Sequence, residues 1–409
     1  MPRYYSQVAS ETHKCLVAVI WIDWYAYHLA RFAGLQKTFG YSGEVSGIEL
    51  VGGVGVHDGL KFREGLPQDL PVETLMPDSS WKDASKLRLA SLVWQRLNVL
   101  NPQLVLVPGY YTLPAIAAAL WAKLHGRVSI LMTESTAEDH HRVSSKELLK
   151  SSIIRKLFDW AVTGGRAHVR YLTQLGFREE RIVSFYDVVD NETLSIRTDT
   201  LRRKHAASFN LPETYFLYVG RLAPEKNVTG LLASWIQYRS EGGAWPLVLA
   251  GDGPESPALK QQANASPFAS EVHFTGHKKA DELPPLYAFA GCFVLPSTRE
   301  PWGLVVNEAM ACGLPVLVSE RCGCAEDLVV AESNGFTFNP SRALELTHYL
   351  HQISGLTSVQ RTLMGKASAR IIRNYSPVNF GREIALIAEL SRPLNRSDLS
   401  SSAVSSTTH

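Results

Sequence analysis

The chain has 409 residues, 45% of them hydrophobic and 20% charged, with 41 Lys and Arg residues against 39 Asp and Glu residues. This length suits two domains, and the composition is that of a globular protein rather than a disordered or membrane-spanning one. The near-neutral charge gives no case for a nucleic-acid partner. The polar start and the short apolar run at 15–21 predict neither a signal peptide nor an anchor, so a cytoplasmic location with at most peripheral membrane contact is expected.

Short apolar runs alternate with helical patterns along most of the chain, which is typical of parallel sheets covered by helices on both faces. In the first half, strands are predicted at 15–22, 47–53, 103–109 and 128–134, and helices at 86–100 and 113–124. In the second half, strands are predicted at 215–220, 246–251, 272–276, 292–297 and 314–319. Ligands of such sheets bind beyond the carboxyl ends of the strands, so the chemistry is expected in the loops that follow strands.

A polar, charged segment at 188–208 separates the two series of strands. We therefore predict a first domain at 1–190 and a second at 191–375. A helix at 376–390 is expected to cross back to the first domain. The Ser/Thr-rich segment 391–409 has too little apolar surface to bury and is expected to be disordered. The five cysteines are odd in number and poorly spaced, so we interpret them as thiols in a reducing compartment.

The most informative run is PSTREPWGLVVNEAMACGLPVLVS (296–319). After a strand that ends at residue 295, a loop carries Glu300, and Gly303 opens a helix that contains Glu308. The first N–H groups of a helix have no helical acceptor and form an anion site that suits a diphosphate. Here they belong to Leu304, Val305 and Val306.

This run resembles the donor-site motif of the family-four retaining glycosyltransferases. Further segments are similar to other motifs of that family, namely YVGRLAPEKN (218–227), AGDGPE (250–255), GCAEDLV (323–329) and NGFTF (334–338). The resemblance is close over 213–340 and loose elsewhere. It implies the GT-B fold, in which two Rossmann-like doubly wound domains face each other across a cleft.

The same resemblance implies retaining transfer of a sugar from a nucleotide-sugar donor, with UDP favoured over GDP and no cofactor required. Since no Asp-x-Asp motif follows a predicted strand, we expect no required metal ion. The acceptor is then a glycan, a lipid-linked molecule or a small molecule, as in polysaccharide biosynthesis. Two rival functions stay open on the same fold: a nucleotide-sugar 2-epimerase and a non-catalytic relative that only binds the nucleotide sugar.

The resemblance also implies roles for single residues. Arg221 and Lys226 would hold the donor diphosphate, Glu300 would contact the transferred sugar and Glu308 the ribose. Gly251, in the AGDGPE turn, would approach the nucleotide. The residue types agree with this, because two cations that follow a strand can neutralise charge on a leaving phosphate. The alternative is that the cations are solvated and the glutamates stabilise helix ends.

The first half departs from the family at two places. Where many members have a Gly-Gly pair, this chain has Asp23, Tyr25 and His28, an aromatic cluster that either stacks on a sugar or packs as a helix start. After the strand at 128–134, Glu134 is predicted to line the acceptor side, with His140 and then His141 as the next candidates. The alternative is a helix N-cap at 135 or 136 with solvent-facing histidines.

Three further candidates come from the first half. Tyr110 and Tyr111 follow a strand and are candidates for the cleft wall. Arg166 and Arg170 are either ligands of an anionic acceptor or ordinary helix-surface charges. The basic amphipathic segment 144–160 either lies on a membrane that carries a lipid-linked acceptor or packs its apolar stripe on the sheet.

Overall fold

The computed structural model describes residues 15–41, 43–53, 70–137 and 144–391. Over these ranges the protein contains two parallel sheets with helices on their faces. Each sheet is built from short runs rich in β-branched and aliphatic residues, which fit a pleated surface buried on both sides.

The first sheet has seven parallel strands in the order β3-β2-β1-β4-β5-β6-β7. Its strands are β1 (Val17–Trp21), β2 (Val45–Val51), β3 (Val72–Met76), β4 (Leu104–Pro108), β5 (Val128–Thr133), β6 (Trp160–Thr163) and β7 (Ile182–Val183). The central strands are fully buried, whereas β3 lies at the edge and is only half-buried. The predicted strands of the first half are therefore confirmed, and β3, β6 and β7 are additions to them.

The helices that accompany this sheet are α1 (Ala26–Phe39), α2 (Lys86–Leu100), α3 (Leu113–Leu124), α4 (Ser144–Leu157) and α5 (Arg166–Gln174). The predicted bounds of α2 and α3 are confirmed. Both helices begin where a hydroxyl caps the first turn: Ser85 accepts from the Arg88 amide and Thr112 from the Ala115 amide, each at 3.3 Å.

The second sheet has six parallel strands in the order β10-β9-β8-β11-β12-β13. Its strands are β8 (Phe216–Val219), β9 (Leu247–Ala250), β10 (Val272–Gly276), β11 (Cys292–Leu295), β12 (Val316–Ser319) and β13 (Gly335–Phe338). The five strands predicted for the second half are confirmed within a few residues at each end.

The remaining helices are α6 (Asn191–Leu201), α7 (Val228–Ser240), α8 (Ser256–Asn264), α9 (Pro284–Phe289), α10 (Leu304–Ala311), α11 (Ala325–Leu328), α12 (Ala343–Ser354), α13 (Ser358–Ile372) and α14 (Pro377–Leu390). The last of them, α14, packs on α1: Phe380, Ile384 and Ile387 join the core on that face of the first sheet. The polar stretch at 188–208 contains α6, which packs on α9 and α10.

In each sheet the strand order reverses once, between β1 and β4 and between β8 and β11. The loops beyond the carboxyl ends of strands at such a reversal diverge and leave a crevice where ligands bind. These two crevices define where the functional residues are sought. All five cysteines are buried and free. Across the described ranges, no helix combines the length and apolarity needed to cross a membrane.

Candidate functional site

The crevice of the second sheet is built from two loops, one after β8 and one after β11. The loops are joined by backbone contacts: the Thr298 amide donates to the Glu225 carbonyl at 2.9 Å, and Asn227 Nδ2 donates to the Pro296 carbonyl at 3.2 Å. Segments that are about 70 residues apart in sequence thus form one surface at the strand-order reversal.

Lys226 and Glu300 meet on this surface. The Lys226 ammonium donates to Glu300 Oε2, and the Ser297 hydroxyl lies 3.3 Å from the same oxygen. Both side chains are largely buried, with 21% and 11% of their surfaces exposed. The cation predicted for the diphosphate and the carboxylate predicted for the sugar are therefore direct neighbours.

Arg221, the second predicted cation, lies on the same loop and is 62% exposed. Its guanidinium donates to Glu225, four residues along the chain. Partial burial acts to raise the pKa of Glu225, but a hydrogen bond from its own backbone amide, followed by the hydrogen bond and the charge of Arg221, lowers it below its ordinary value. Sequence reasoning did not single out Glu225, although an acid four residues from an arginine is a recognisable signal.

The helix that was predicted to bind a diphosphate begins as expected at Gly303, whose φ of +104° is a left-handed conformation that favours glycine. One detail of the prediction is wrong. The Val306 amide is not free, because it donates to the Gly303 carbonyl at 2.8 Å. The amides of Leu304 and Val305 remain the ones without a helical acceptor at this end.

Gly251 follows β9 and approaches the loop after β8. Its φ is +147°, and a Cβ atom there would stand 1.8 Å from the Gly220 carbonyl oxygen. Only glycine permits this approach, so Gly251 lies against the loop that carries Arg221 and Lys226.

Glu308 lies one turn into α10. Tyr287, a fully buried residue of α9, donates its hydroxyl to Glu308 Oε2 at 2.6 Å. Burial raises the pKa of Glu308 to about 6, and the hydrogen bond from Tyr287 opposes that rise. Tyr287 was missed from the sequence, where it is a plain apolar position of a short helix.

On the first domain, Glu134 follows β5 and lies at the edge of a buried ionic cluster. Arg31 and Asp187 are both fully buried, and Arg31 Nη2 donates to Asp187 Oδ1 at 3.0 Å. The same nitrogen lies 3.8 Å from Glu134 Oε1, and Glu134 is 40% exposed. The guanidinium also lies 3.8 Å above the ring of Tyr186. Burial, together with the charge of Glu134, raises the pKa of Asp187 against the opposing effect of Arg31.

The aromatic cluster after β1 packs as a helix start. The His28 ring stacks on Trp21 at 4.6 Å, and its Nδ1 accepts from the Tyr25 amide at 3.2 Å. Burial and then the charge of Arg31 hold the pKa of His28 well below its ordinary value. His28 is thus neutral, and Tyr25 is buried. Asp23 is half-buried beside them.

Tyr110 and Tyr111 differ in their surroundings. Tyr110 is buried with its hydroxyl 3.5 Å from the Ser135 hydroxyl, whereas Tyr111 is 73% exposed. Since α4 begins at Ser144, neither Ser135 nor residue 136 is its N-cap. His140 and His141 lie outside the described residues, so their proposed roles remain predictions.

Arg166 and Arg170 contact the other domain. Arg166 bonds Asp327, and Arg170 makes two hydrogen bonds to Glu326 at 2.9 and 2.7 Å. They are thus neither free ligands for an anion nor isolated surface charges. The segment 144–160 packs on the sheet at its second half, because Ile154 and Phe158 are buried in the core.

Among the residues that the structure describes, no three His, Cys, Asp or Glu side chains come together as metal ligands would. The second crevice holds two ion pairs, Lys226 with Glu300 and Arg221 with Glu225. The second crevice offers cations and two amides for a phosphate, and a carboxylate for hydroxyl groups.

Comparison with known proteins agrees with this geometry. Residues 200–367 match the model of the family described as Glycosyl transferases group 1. We call residues 200–367 the group 1 domain. The resemblance inferred from the sequence is confirmed, and the group 1 domain contains both loops of the second crevice.

Curated relatives match parts of the chain. The chain is 38% identical to the O-antigen chain mannosyltransferase B of Escherichia coli over 107 residues, covering 26% of this chain and 28% of that protein. It is 31% identical to a GDP-mannose-dependent alpha-mannosyltransferase of Mycobacterium tuberculosis over 238 residues, covering 56% of this chain and 50% of that protein. The chain thus spans between about a quarter and a half of the length of these two relatives.

Most of the chain resembles solved structures. The Anabaena protein Alr3699/HepE in complex with UDP matches with a TM-score of 0.71 at 20% identity, covering 91% of this chain and 99% of that one. At this identity the likeness concerns the fold alone. The fold is therefore GT-B, two Rossmann-like doubly wound domains facing each other across a cleft, as the sequence predicted.

Proposed function

We propose that this protein is a retaining glycosyltransferase that transfers a hexosyl group from a nucleotide-sugar donor to a hydroxyl acceptor. The observation that carries the proposal is the contact of Lys226 with Glu300 at the strand-order reversal of the group 1 domain, next to the start of α10. One group of the pair suits a phosphate and the other suits the hydroxyl groups of a sugar.

In the proposed reaction the bond between the anomeric carbon and the diphosphate breaks on the face where the acceptor oxygen attaches. The acceptor proton passes to the leaving phosphate. Lys226, Arg221 and the amides of Leu304 and Val305 stabilise the negative charge that grows on the diphosphate, and positioning supplies much of the remaining acceleration. Glu134 borders the acceptor side, where its exposed carboxylate accepts a hydrogen bond from the acceptor.

UDP is the proposed nucleotide. The fold resembles a protein solved with UDP, whereas one relative is named as dependent on GDP-mannose. A thermal-shift panel of UDP, GDP, ADP and dTDP decides between them. A nucleotide at 100 times its dissociation constant adds about 2.7 kcal/mol to the free energy of unfolding.

We expect UDP to raise the midpoint of the wild type and not that of Lys226→Ala. Lys366→Ala is the matched control, because Lys366 is an exposed lysine of the same domain. If no nucleotide raises the midpoint of the wild type at millimolar concentration, the donor site is wrongly assigned. Conversion of a UDP-sugar to its isomer without an acceptor would favour the 2-epimerase.

The acceptor is proposed to be a glycan or a lipid-linked molecule of polysaccharide biosynthesis, met at a cytoplasmic membrane surface. The outer face of α3 exposes Leu113, Leu120 and Leu124, and Lys123 beside them donates to the Lys156 carbonyl of α4 at 2.6 Å. Exposed leucines beside lysines suit an anionic bilayer. Sedimentation with vesicles of phosphatidylglycerol, but not of phosphatidylcholine, is expected, and Leu124→Glu should weaken it.

A further inference from the structure

The two domains dock through a pair of short helices, α5 of the first domain and α11 of the second. Asp327 lies on α11 with 6% of its side chain exposed. Its Oδ2 accepts from the Arg166 backbone amide at 3.0 Å, and its Oδ1 accepts from Arg166 Nε at 3.2 Å. The carboxylate therefore bonds the first residue of a helix that belongs to the other domain.

This contact replaces an N-cap that α5 lacks. The residue at its N-cap position is Gly165, which has no side chain to accept from the first amides. A Cβ atom at Gly165 would stand 2.3 Å from Asp327 Oδ2. The glycine is needed so that the carboxylate of the second domain can take the capping position.

A second ion pair continues the interface one turn along α5. Arg170 bonds Glu326 through both terminal nitrogens, which is the strongest geometry between these groups. The first domain thus contributes two arginines and a helix N-terminus, and the second contributes two acids. The charges of the two surfaces are complementary.

The segment that carries these acids also bonds the loop between β11 and α10, residues 296–303, which we call the donor loop. The Gly323 amide donates to the Glu300 carbonyl at 2.9 Å, and the Cys324 amide donates to the Trp302 carbonyl at 3.2 Å. The Trp302 ring in turn faces the first domain, since a Cβ atom at Gly164 would stand 2.7 Å from it. Residues 323–327 are therefore bonded to the donor loop on one side and to α5 on the other.

We propose that Asp327 is a positioning residue, which ties the donor loop to the first domain so that nucleotide affinity depends on the docking of the two domains. This inference rests on the proposed function, because it assumes that Glu300 and Lys226 belong to the donor site. Without the Asp327 carboxylate, residues 323–327 lose their hydrogen bonds to Arg166 of α5. The Glu300 carbonyl, which accepts from the Gly323 amide, is then held less firmly relative to the first domain.

The test is calorimetric titration of the full chain with UDP and, separately, GDP. For the nucleotide that binds the wild type, Asp327→Ala should raise the dissociation constant about tenfold, and Asp327→Asn, which keeps one acceptor, should raise it less. Arg170→Glu and Glu326→Arg should each weaken binding severalfold, and the double reversal should restore it to within about twofold of the wild type. Arg178→Glu is the control and should leave the dissociation constant unchanged, because the salt bridge of Arg178 is with Glu180 of the same domain.

Unchanged affinity in Asp327→Ala, with a lowered thermal midpoint, would show that the interface only stabilises the fold and would overturn the inference alone. A double reversal that binds no better than the single ones would overturn it in the same way. Absence of binding by the wild type to either nucleotide would overturn the proposed function and the inference together.

Discussion

The hydrogen bond between Tyr287 and Glu308 offers a sharp test of the group 1 domain, because its effect depends on pH in a defined direction. Tyr287→Phe removes only the hydroxyl that lies 2.6 Å from Glu308 Oε2. A hydrogen bond to a charged group contributes about 1.5–3 kcal/mol. Since one pKa unit corresponds to about 1.4 kcal/mol, the lower end of this range predicts that the substitution raises the pKa of Glu308 by about one unit from its value of about 6.

The direction of the pH dependence follows from the raised pKa of Glu308 in the folded state. Because Glu308 titrates near 6 when folded and at an ordinary 4.5 when unfolded, the folded protein binds its proton more tightly. The stability from this group is full below pH 4.5 and is lost as the pH rises through 6. In Tyr287→Phe this contribution to the free energy of unfolding is lost up to about pH 7. The substitution should therefore lower the free energy of unfolding by about 1.4 kcal/mol more at pH 8 than at pH 5.

Urea denaturation at pH 5 and pH 8 measures this difference. Tyr215→Phe is the matched control, because Tyr215 is equally buried and donates its hydroxyl to the Leu286 carbonyl at 2.7 Å, which does not titrate. Tyr215→Phe should lower the free energy of unfolding by the same amount at both pH values. An equal cost of Tyr287→Phe at pH 5 and pH 8 would refute the assignment of Glu308 as a buried carboxylate with a raised pKa.

Three further substitutions test the site and its frame. Arg31→Met should lower the free energy of unfolding by about 3–5 kcal/mol in urea denaturation, because it leaves Asp187 buried without its counter-ion; a loss under 1 kcal/mol would contradict this. Gly303→Ala should lower the free energy of unfolding by about 1–2 kcal/mol and weaken UDP binding in calorimetry, since alanine disfavours a φ of +104°. Unchanged affinity for UDP would argue against phosphate binding at this helix. Arg202→Ala should lower the free energy of unfolding by about 1–2 kcal/mol in urea denaturation, because Arg202 donates to the Ala288 and Cys312 carbonyls at the ends of α9 and α10. Arg203→Ala, a substitution of the exposed neighbour, should lower it by less than about 0.5 kcal/mol.

Much of the fold was predictable because its signals are local. The helices at 86–100 and 113–124 have their start signals beside them, a capping hydroxyl at Ser85 and at Thr112. Buried strands appear as continuous apolar runs. The edge strand β3 was missed because its residues, VETLM, are only half-buried and mix polar with apolar side chains.

The placement of Gly303 and Glu308 at one helix was predictable for a similar reason, since both belong to one short motif. The ionic cluster of the first domain was not, because Arg31 and Asp187 are 156 residues apart and nothing near either of them marks the pair. The docking of Arg166 and Arg170 on the second domain was missed for the same reason. Contacts between distant segments depend on the topology, which local patterns in a single sequence do not reveal.

Release of nucleotide from a nucleotide sugar tests the central claim most directly. The full chain is incubated with UDP-glucose, UDP-galactose or GDP-mannose and a mixture of lipid and oligosaccharide acceptors, and the free nucleoside diphosphate and the anomeric configuration of the product are followed by nuclear magnetic resonance. We expect the wild type to release the diphosphate with an α-linked product from an α-linked donor, and Lys226→Ala to be slower by at least about 100-fold, as loss of one transition-state hydrogen bond typically is. Nucleotide binding without release from any donor, or a product of inverted configuration, would contradict the account.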